Sequence, residues 1–196
     1  MIIGITGSVG TGKSTVAAYF KALGAEVINA DTLAHNVIKS GTPGHKRIVS
    51  VFGRRVLSAS GAINRKKLGN IVFEDKKLLN KLNSIVHPEV IRLVRDRIRN
   101  SGSKITFFDA PLLIEAGLKD LVDALIVVKA GRPAQIKRVV SKTGMERTEV
   151  LARIKAQMPL SAKIKIADYV IDNNGTKIKT KKQVLSIWKQ LRKGDK

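Results

Sequence analysis

The sequence contains no cysteine among its 196 residues, which excludes a disulfide scaffold, a thiol nucleophile and a metal site with cysteine ligands. Aromatic residues make up only 4% of the chain, so few side chains are present on which the bases of a nucleic acid could stack. The three histidines, His35, His45 and His87, lack the close spacing of metal ligands, and we expect no histidine metal site.

Acidic residues are scarce as well. The chain has 15 Asp plus Glu against 37 Lys plus Arg, which gives a formal net charge of +22. Such an excess attracts nucleic acids, anionic membrane surfaces or polyanionic small molecules. A lysine-rich, well-solvated surface has the same composition, however, so the charge by itself does not choose a function.

Long apolar runs are missing, because no stretch approaches the roughly 18 consecutive apolar residues of a membrane span. The apolar run at the N-terminus is broken by Gly4 and Gly7 and has no positively charged segment before it, which argues against a signal peptide. We therefore expect a cytoplasmic protein. The length and the 43% of hydrophobic residues predict one globular domain.

What the chain does contain is a regular alternation of strand and helix patterns. Strands are predicted at 2–6, 26–29, 105–108, 124–128 and 169–171, and helices at 14–23, 32–39, 134–140, 148–156 and 183–192. Between 47 and 100 helical periodicity prevails, which predicts three or more amphipathic helices inserted between strands. Strands separated by helices predict a parallel sheet covered on both faces.

The first predicted strand runs directly into a glycine-rich loop and a helix. Residues 7 to 14, GSVGTGKS, match the phosphate-loop pattern G-x-x-x-x-G-K-[ST] at every fixed position, in the strand-to-helix context that the motif requires. In such a loop backbone N–H groups cradle phosphates, Lys13 reaches the β- and γ-phosphates and the Ser14 hydroxyl ligates Mg²⁺. The predicted ATP-binding residues here are Gly7, Val9, Gly10, Thr11, Gly12, Lys13, Ser14 and Thr15.

Missing motifs narrow the class of phosphate-loop protein. A GTPase needs a guanine-reading N-K-x-D sequence, which does not occur, and motor or helicase ATPases need a longer chain. A small kinase for a nucleotide-like acceptor fits the length, with helices to hold the acceptor and a basic lid at 141–147 to cover the phosphates.

Further segments form an ordered set with the phosphate loop: Ala30-Asp31, His87-Pro88, DAPLLIE from Asp109 to Glu115, Gln135 with Arg138, Arg153 with Gln157, and ADYVIDN from Ala167 to Asn173 with Gly175. In these segments the chain closely resembles the dephospho-coenzyme A kinase family, over nearly its whole length. The resemblance implies transfer of the ATP γ-phosphoryl group to the ribose 3'-hydroxyl of dephospho-coenzyme A, with Mg²⁺ as the metal.

The resemblance also implies the fold, a three-layer αβα P-loop kinase with a five-stranded parallel sheet. Its core is expected at about 1–40, 103–135 and 166–196. A helical acceptor-binding insertion is expected at about 41–102, and a small lid at about 136–165.

Three charged residues are the candidate catalytic and metal-binding groups beside Lys13 and Ser14. Asp31 is the candidate base for the acceptor hydroxyl, although it could instead cap a helix before Thr32. Asp109 is the candidate partner of Mg²⁺, with a helix cap as the alternative. Arg138 resembles the family's lid-side arginine at the ATP phosphates; the alternative is a solvated helix face. Where the family commonly has a second arginine, this chain has Lys142. Lysine keeps the charge but loses the bidentate geometry, so we assign Lys142 no specific phosphate contact, and Arg147 or Arg153 could share that work.

The candidate acceptor-binding residues are Asp31, His87, Leu112 and Glu115. A histidine before proline is also common at a helix boundary, and Glu115 could equally cap a structural turn. We expect ATP and dephospho-coenzyme A as partners, and a monomer that needs neither nucleic acid nor membrane. The rival interpretations are a kinase for another nucleoside or nucleotide, a nucleic-acid-binding ATPase, and an inactive scaffold. The intact Lys13, Ser14 and Asp31 disfavour the inactive scaffold.

Overall fold

The computed structural model describes residues 1–73, 75–100 and 103–193. Residues 74, 101 and 102 of the predicted insertion and residues 194–196 of the predicted core lie outside the described residues. The described chain forms two compact units. The first holds residues 1–28 together with the described residues from 103 onward, and the second holds the described residues from 29 to 100.

A five-stranded parallel sheet with helices on both sides organises the first unit, as the sequence predicts. The strands are β1 (Ile2–Gly7), β2 (Glu26–Asn29), β3 (Thr106–Asp109), β4 (Ala124–Lys129) and β5 (Tyr169–Asp172), in the spatial order β2-β3-β1-β4-β5. In the register of β1, Ile5 lies opposite Asp109 of β3, and Gly7 lies opposite Val128 of β4. The connection from β1 leads to β2 at one edge of the sheet, whereas the connection from β3 leads to β4, toward the other edge. Ligands of open α/β sheets bind at the carboxyl ends of the strands at such a reversal.

These segments form strands because they are short, nearly continuous runs of apolar residues. All of β3, and β1 from its second residue onward, are buried, which is typical of parallel strands covered on both faces. The helices of this unit are α1 (Lys13–Ala22), α6 (Arg132–Thr143), α7 (Arg147–Lys155), α8 (Leu160–Lys165) and α9 (Lys177–Lys193). Phe20 of α1 stacks on Phe107 of β3 with ring centroids 4.2 Å apart, and Trp188 of α9 packs against both rings. Trp188 is therefore a partly buried residue that packs against the core.

The described part of the second unit is mainly helical and contains α2 (Ala30–Val37), α3 (Pro43–Phe52), α4 (Arg65–Phe73) and α5 (Lys76–Arg99). The long helix α5 packs against the other three. The core between α3, α4 and α5 consists of residues of these helices and Val56, which follows α3; its buried residues are Ile48, Phe52, Val56, Leu68, Val72 and Ile85. Helix α5 continues through Pro88, so the His87-Pro88 pair does not mark a helix boundary. His45 is half-buried, with its Nε2 2.9 Å from the carbonyl oxygen of Gly61, whereas His35 is exposed.

Two helices depart from the predicted pattern. Helix α8 has no counterpart among the predicted elements, and α9 begins at Lys177 instead of 183. The predicted turn at 141–147 is partly helical, because α6 runs to Thr143 before Gly144 ends it in the left-handed conformation. No helix within the described ranges has both the length and the apolarity to cross a bilayer.

Candidate active site

The phosphate loop connects the end of β1 to the start of α1. Gly10 and Gly12 adopt φ angles of 75° and 86°, a left-handed backbone that favours glycine. Helix α1 begins at Lys13 with no acidic residue in its first turn and no side-chain cap. The first N–H groups of a helix have no partner within the helix, and its dipole favours negative charge there. The loop and helix together therefore form a site for an anion such as a phosphate.

Asn173 holds the loop from the side of β5. Its Nδ2 donates to the carbonyl oxygen of Thr11 at 2.8 Å, and its Oδ1 accepts from the Thr180 hydroxyl at 2.9 Å. A Cβ on Gly12 would collide with Nδ2 of Asn173. Glycine is thus required at position 12 for two reasons, the left-handed backbone conformation and the close packing against Asn173.

The turn that carries Asn173 is itself held by Asp172. Oδ1 of Asp172 accepts from the backbone N–H of Asn174 at 2.9 Å, and Oδ2 lies 3.2 Å from Nζ of Lys129. The hydrogen bond from the Asn174 backbone, reinforced by Lys129, lowers the pKa of Asp172 below its ordinary value. The carboxylate form of Asp172 is thus the form that orders the turn.

Lys13 and Asp109 form an ion pair at the carboxyl ends of β1 and β3. The side chain of Asp109 is 4% exposed, and that of Lys13 is 11% exposed. Asp109 thus stands at the phosphate loop, beside the residue expected to reach the β- and γ-phosphates.

Arg138 of α6 bridges the loop and the β5 turn. Nη1 donates to the carbonyl oxygens of Thr11 and Gly10 at 3.2 and 3.4 Å, and Nη2 donates to that of Asn173 at 2.6 Å. The alternative of a solvated helix face is therefore wrong. Arg138 and Lys142 line one open depression along α6, and Arg153 is paired with Glu149 at 2.9 Å.

Gln157, just after α7, contacts the first residues of the loop. Its Oε1 accepts from the Ser8 hydroxyl and from the Val9 backbone N–H, both at 3.0 Å. The segment between α7 and α8 is thereby tied to the start of the phosphate loop.

Pro111 to Glu115 form a tight turn after β3. Leu112 is 49% exposed, while Leu113 is fully buried. Glu115 Oε1 lies 2.8 Å from Nζ of Lys163 and accepts from the Met158 backbone N–H at 3.1 Å. These contacts support the alternative interpretation of Glu115 as a structural residue, because its side chain joins the turn after β3 to α8.

Asp31 and His87 belong to the second unit. Asp31 lies in the first turn of α2 and is exposed. The cap of this helix is Asn29, whose Oδ1 accepts from the Thr32 N–H at 2.9 Å, so the alternative of Asp31 as the N-cap is wrong. Burial lowers the pKa of His87 below its ordinary value, which favours the neutral imidazole.

The described residues contain no group of three or more His, Cys, Asp or Glu side chains arranged to hold a metal ion. Oxygen donors are nevertheless present at the loop, in the exposed residue Ser14 and in the carboxylate of Asp109. Mg²⁺ prefers oxygen ligands, is typically held by one or two protein groups, and completes its shell with phosphates and waters. These two side chains fit that requirement.

Sequence reasoning left three residues of this region without a role: Gln157, Asn173 and Lys163. The first two belong to the segments that carry the family resemblance, and that signal could have identified them. Lys163 had no such signal, because it is one of many lysines in a basic C-terminal segment.

Comparison with known proteins gives consistent results. The family model described as "Dephospho-CoA kinase" matches residues 1–179. A dephospho-CoA kinase of Carboxydothermus hydrogenoformans is 43% identical over 194 residues, which cover 96% of this chain and 94% of the relative. A crystal structure of a Thermus thermophilus protein superposes with a TM-score of 0.88 at 34% identity, covering 95% of both chains. A dephospho-CoA kinase from Campylobacter jejuni superposes with a TM-score of 0.71 at 26% identity, covering 100% of this chain and 98% of the other.

Proposed function

The chain belongs to the dephospho-CoA kinase family, and on that premise we propose that it transfers the γ-phosphoryl group of ATP to the 3'-hydroxyl of dephospho-coenzyme A. The products are coenzyme A and ADP. The observation that carries the proposal is the intact phosphate loop, with Lys13 paired to Asp109, in a chain whose residues 1–179 match the family. We propose that the enzyme works as a monomer in the cytoplasm.

On the ATP side, the proposed ligands of the phosphates are the N–H groups of the loop from Gly7 to Thr15 and the ammonium of Lys13. Lys13 contributes positive charge where negative charge develops during transfer, which is the main means of catalysis in phosphoryl transfer. Ser14 and Asp109 are the proposed holders of Mg²⁺, which when bound would neutralise phosphate charge.

Arg138 is proposed to face the ATP phosphates from the side of α6. Its guanidinium bridges the loop carbonyls and the Asn173 carbonyl, which supports a place for Arg138 beside the phosphate loop. Lys142 follows one helical turn later in the same depression and is proposed to supply the charge of the family's second arginine. Residues 136–165 form the proposed lid.

On the acceptor side, Asp31 is proposed to accept the proton of the 3'-hydroxyl as the oxygen attacks the γ-phosphorus. The new O–P bond forms while the bond from the γ-phosphorus to the β–γ bridging oxygen breaks, and ADP leaves with that oxygen. The exposed position of Asp31 leaves its carboxylate open to a substrate. His87, Leu112 and Glu115 are proposed to contact the rest of the acceptor, and the helices of residues 41–102 to hold it.

The identity of the product tests this proposal. The purified protein is incubated with ATP, Mg²⁺ and dephospho-coenzyme A, and the product is examined by ³¹P NMR. The expected result is one new phosphomonoester on the ribose 3'-oxygen. A phosphoryl group on another oxygen, or ATP hydrolysis without transfer, contradicts the proposal.

A further inference from the structure

Lys163 is a fully buried lysine in a chain whose other described lysines all retain contact with solvent. It lies in α8, and its Nζ is 2.8 Å from Oε1 of Glu115 and 3.0 Å from the carbonyl oxygen of Pro111. Burying an ammonium group is costly unless it is paired and hydrogen-bonded, and even a paired group is often replaceable by apolar residues without loss of stability. Stability alone therefore does not explain a lysine at this position.

Both partners of Lys163, the Pro111 carbonyl and the Glu115 carboxylate, belong to the turn after β3. The Pro111 carbonyl also accepts from the hydroxyl of Thr6, which directly precedes the phosphate loop. Glu115 also accepts from the N–H of Met158, between α7 and α8. One ammonium group thus connects both ends of the turn to α8 and, through Pro111, to β1.

The turn held in this way carries groups of the proposed site. Asp109 lies two residues before Pro111, and Leu112, 49% exposed, lies between the two residues that Lys163 contacts. An exposed leucine can present a fixed surface only if the backbone on both sides of it is held, and Lys163 holds both sides.

We infer that Lys163 is a positioning residue of the enzyme, which fixes the turn from Pro111 to Glu115 against α8 so that Leu112 meets the acceptor in a set place. This inference rests on the proposed function for its kinetic consequence. It also makes the segment from Gln157 to Lys163 the fixed end of the proposed lid, because residues 157, 158 and 163 are all bonded to the first unit's loop and turn.

The test compares four variants. Lys163→Met removes the charge but keeps a long unbranched side chain. Glu115→Gln gives the effect of Glu115 alone, and the double variant removes both charges while an amide oxygen remains for the Met158 N–H. Lys165→Met, at an exposed lysine of the same helix, is the matched control. Thermal unfolding identifies the variants that fold, and the double variant covers the case in which Lys163→Met alone leaves Glu115 uncompensated and unfolds the protein.

Hydrogen exchange of the amides from 110 to 118 is measured first, because it does not depend on the acceptor. We expect faster exchange there in Lys163→Met and in the double variant, and wild-type exchange in Lys165→Met. We also expect kcat/KM for dephospho-coenzyme A to fall about tenfold or more in both, mainly through KM, with the Kd for MgATP within about twofold of wild type.

A role confined to structure predicts a different pattern. The double variant would then recover wild-type exchange and activity once its thermal stability returned, and either recovery overturns the inference. If the wild-type protein does not phosphorylate dephospho-coenzyme A, the proposed function fails, and the exchange of residues 110 to 118 alone then decides whether Lys163 fixes the turn.

Discussion

Gly12 and Asn173 approach so closely that residue 12 has no room for a side chain. A Cβ at Gly12 would overlap Nδ2 of Asn173, which donates to the carbonyl oxygen of Thr11 at 2.8 Å. The phosphate loop is therefore shaped by the turn after β5 as well as by its own glycines.

The variant Gly12→Ala tests whether the contact with Asn173 requires glycine at position 12 in addition to the backbone conformation. Gly24 is the matched control, since it has a φ of 90° but no atom within 4 Å of an added Cβ. We expect Gly24→Ala to lower the free energy of unfolding by about 1 to 2 kcal/mol through strain alone, with unchanged MgATP affinity. Gly12→Ala should lose more stability and bind MgATP about tenfold or more weakly, as measured by urea unfolding and calorimetric titration. Equal losses in both variants would show that the contact with Asn173 is unimportant.

Lys13→Met should lower kcat by roughly 100-fold or more, because a charge that stabilises the transferring phosphoryl group is lost. The readout is the initial rate of ADP formation at saturating substrates. Lys21→Met, at an exposed lysine near the other end of α1, should keep the wild-type rate. A kcat for Lys13→Met within a few-fold of the wild-type value would refute the role assigned to this residue.

Asp31→Asn should lower kcat by about 100-fold to 10,000-fold, because the variant cannot take the proton of the acceptor hydroxyl. The Kd for MgATP should change less than about twofold, since no ATP contact is assigned to Asp31. Single-turnover kinetics and equilibrium titration separate the two effects, and Asp120→Asn at an exposed surface position is the control. Loss of ATP binding with normal single-turnover rates would contradict the assignment of Asp31 as the base.

His87 predicts a specific dependence of stability on pH. Burial lowers its pKa in the folded protein below the ordinary value of 6.5. As the pH falls below that value, the unfolded chain binds a proton at His87 before the folded chain does, so acidification removes stability until the lowered pKa is reached.

The corresponding measurement is the change in Tm between about pH 7.5 and about pH 5.5. His87→Gln should show a smaller decrease in Tm than the wild type over this range, while His35→Gln, at an exposed histidine of α2, should show the wild-type decrease. If His87→Gln and the wild type lose the same Tm, the burial of His87 does not contribute to acid sensitivity.

The sheet and its loop could be predicted from the sequence because their signals are local. Buried parallel strands are continuous apolar runs, and the phosphate loop is a contiguous motif between such a strand and a helix. All five strands were predicted to within two residues at each end. The helix ends were less accurate, since caps and tertiary contacts decide where a helix begins.

Helices α8 and α9 show what periodicity does not reveal. The sequence of α8, LSAKIK, is short and its most buried side chain is Lys163, so it does not have the pattern of an amphipathic helix. The first two turns of α9 are mostly lysine and exposed, with Thr180 as their buried residue, and therefore resemble a solvated tail.

The contacts that complete the candidate site join residues far apart in the chain. Asn173 with Thr11, Gln157 with Val9 and Lys163 with Glu115 are each brought together by the order of the strands and helices. Residue types at a fixed spacing carry no record of such pairs, which is why Lys163 could be found only in the folded protein.

The most direct test of the central claim is the initial rate of ADP formation by the wild-type protein with MgATP and each of a panel of acceptors. The panel consists of dephospho-coenzyme A, AMP, adenosine, uridine and pantothenate. We predict that kcat/KM for dephospho-coenzyme A exceeds that for every other acceptor by about 100-fold or more. A higher kcat/KM with another acceptor, or ADP formation that is independent of any acceptor, would contradict the proposed function.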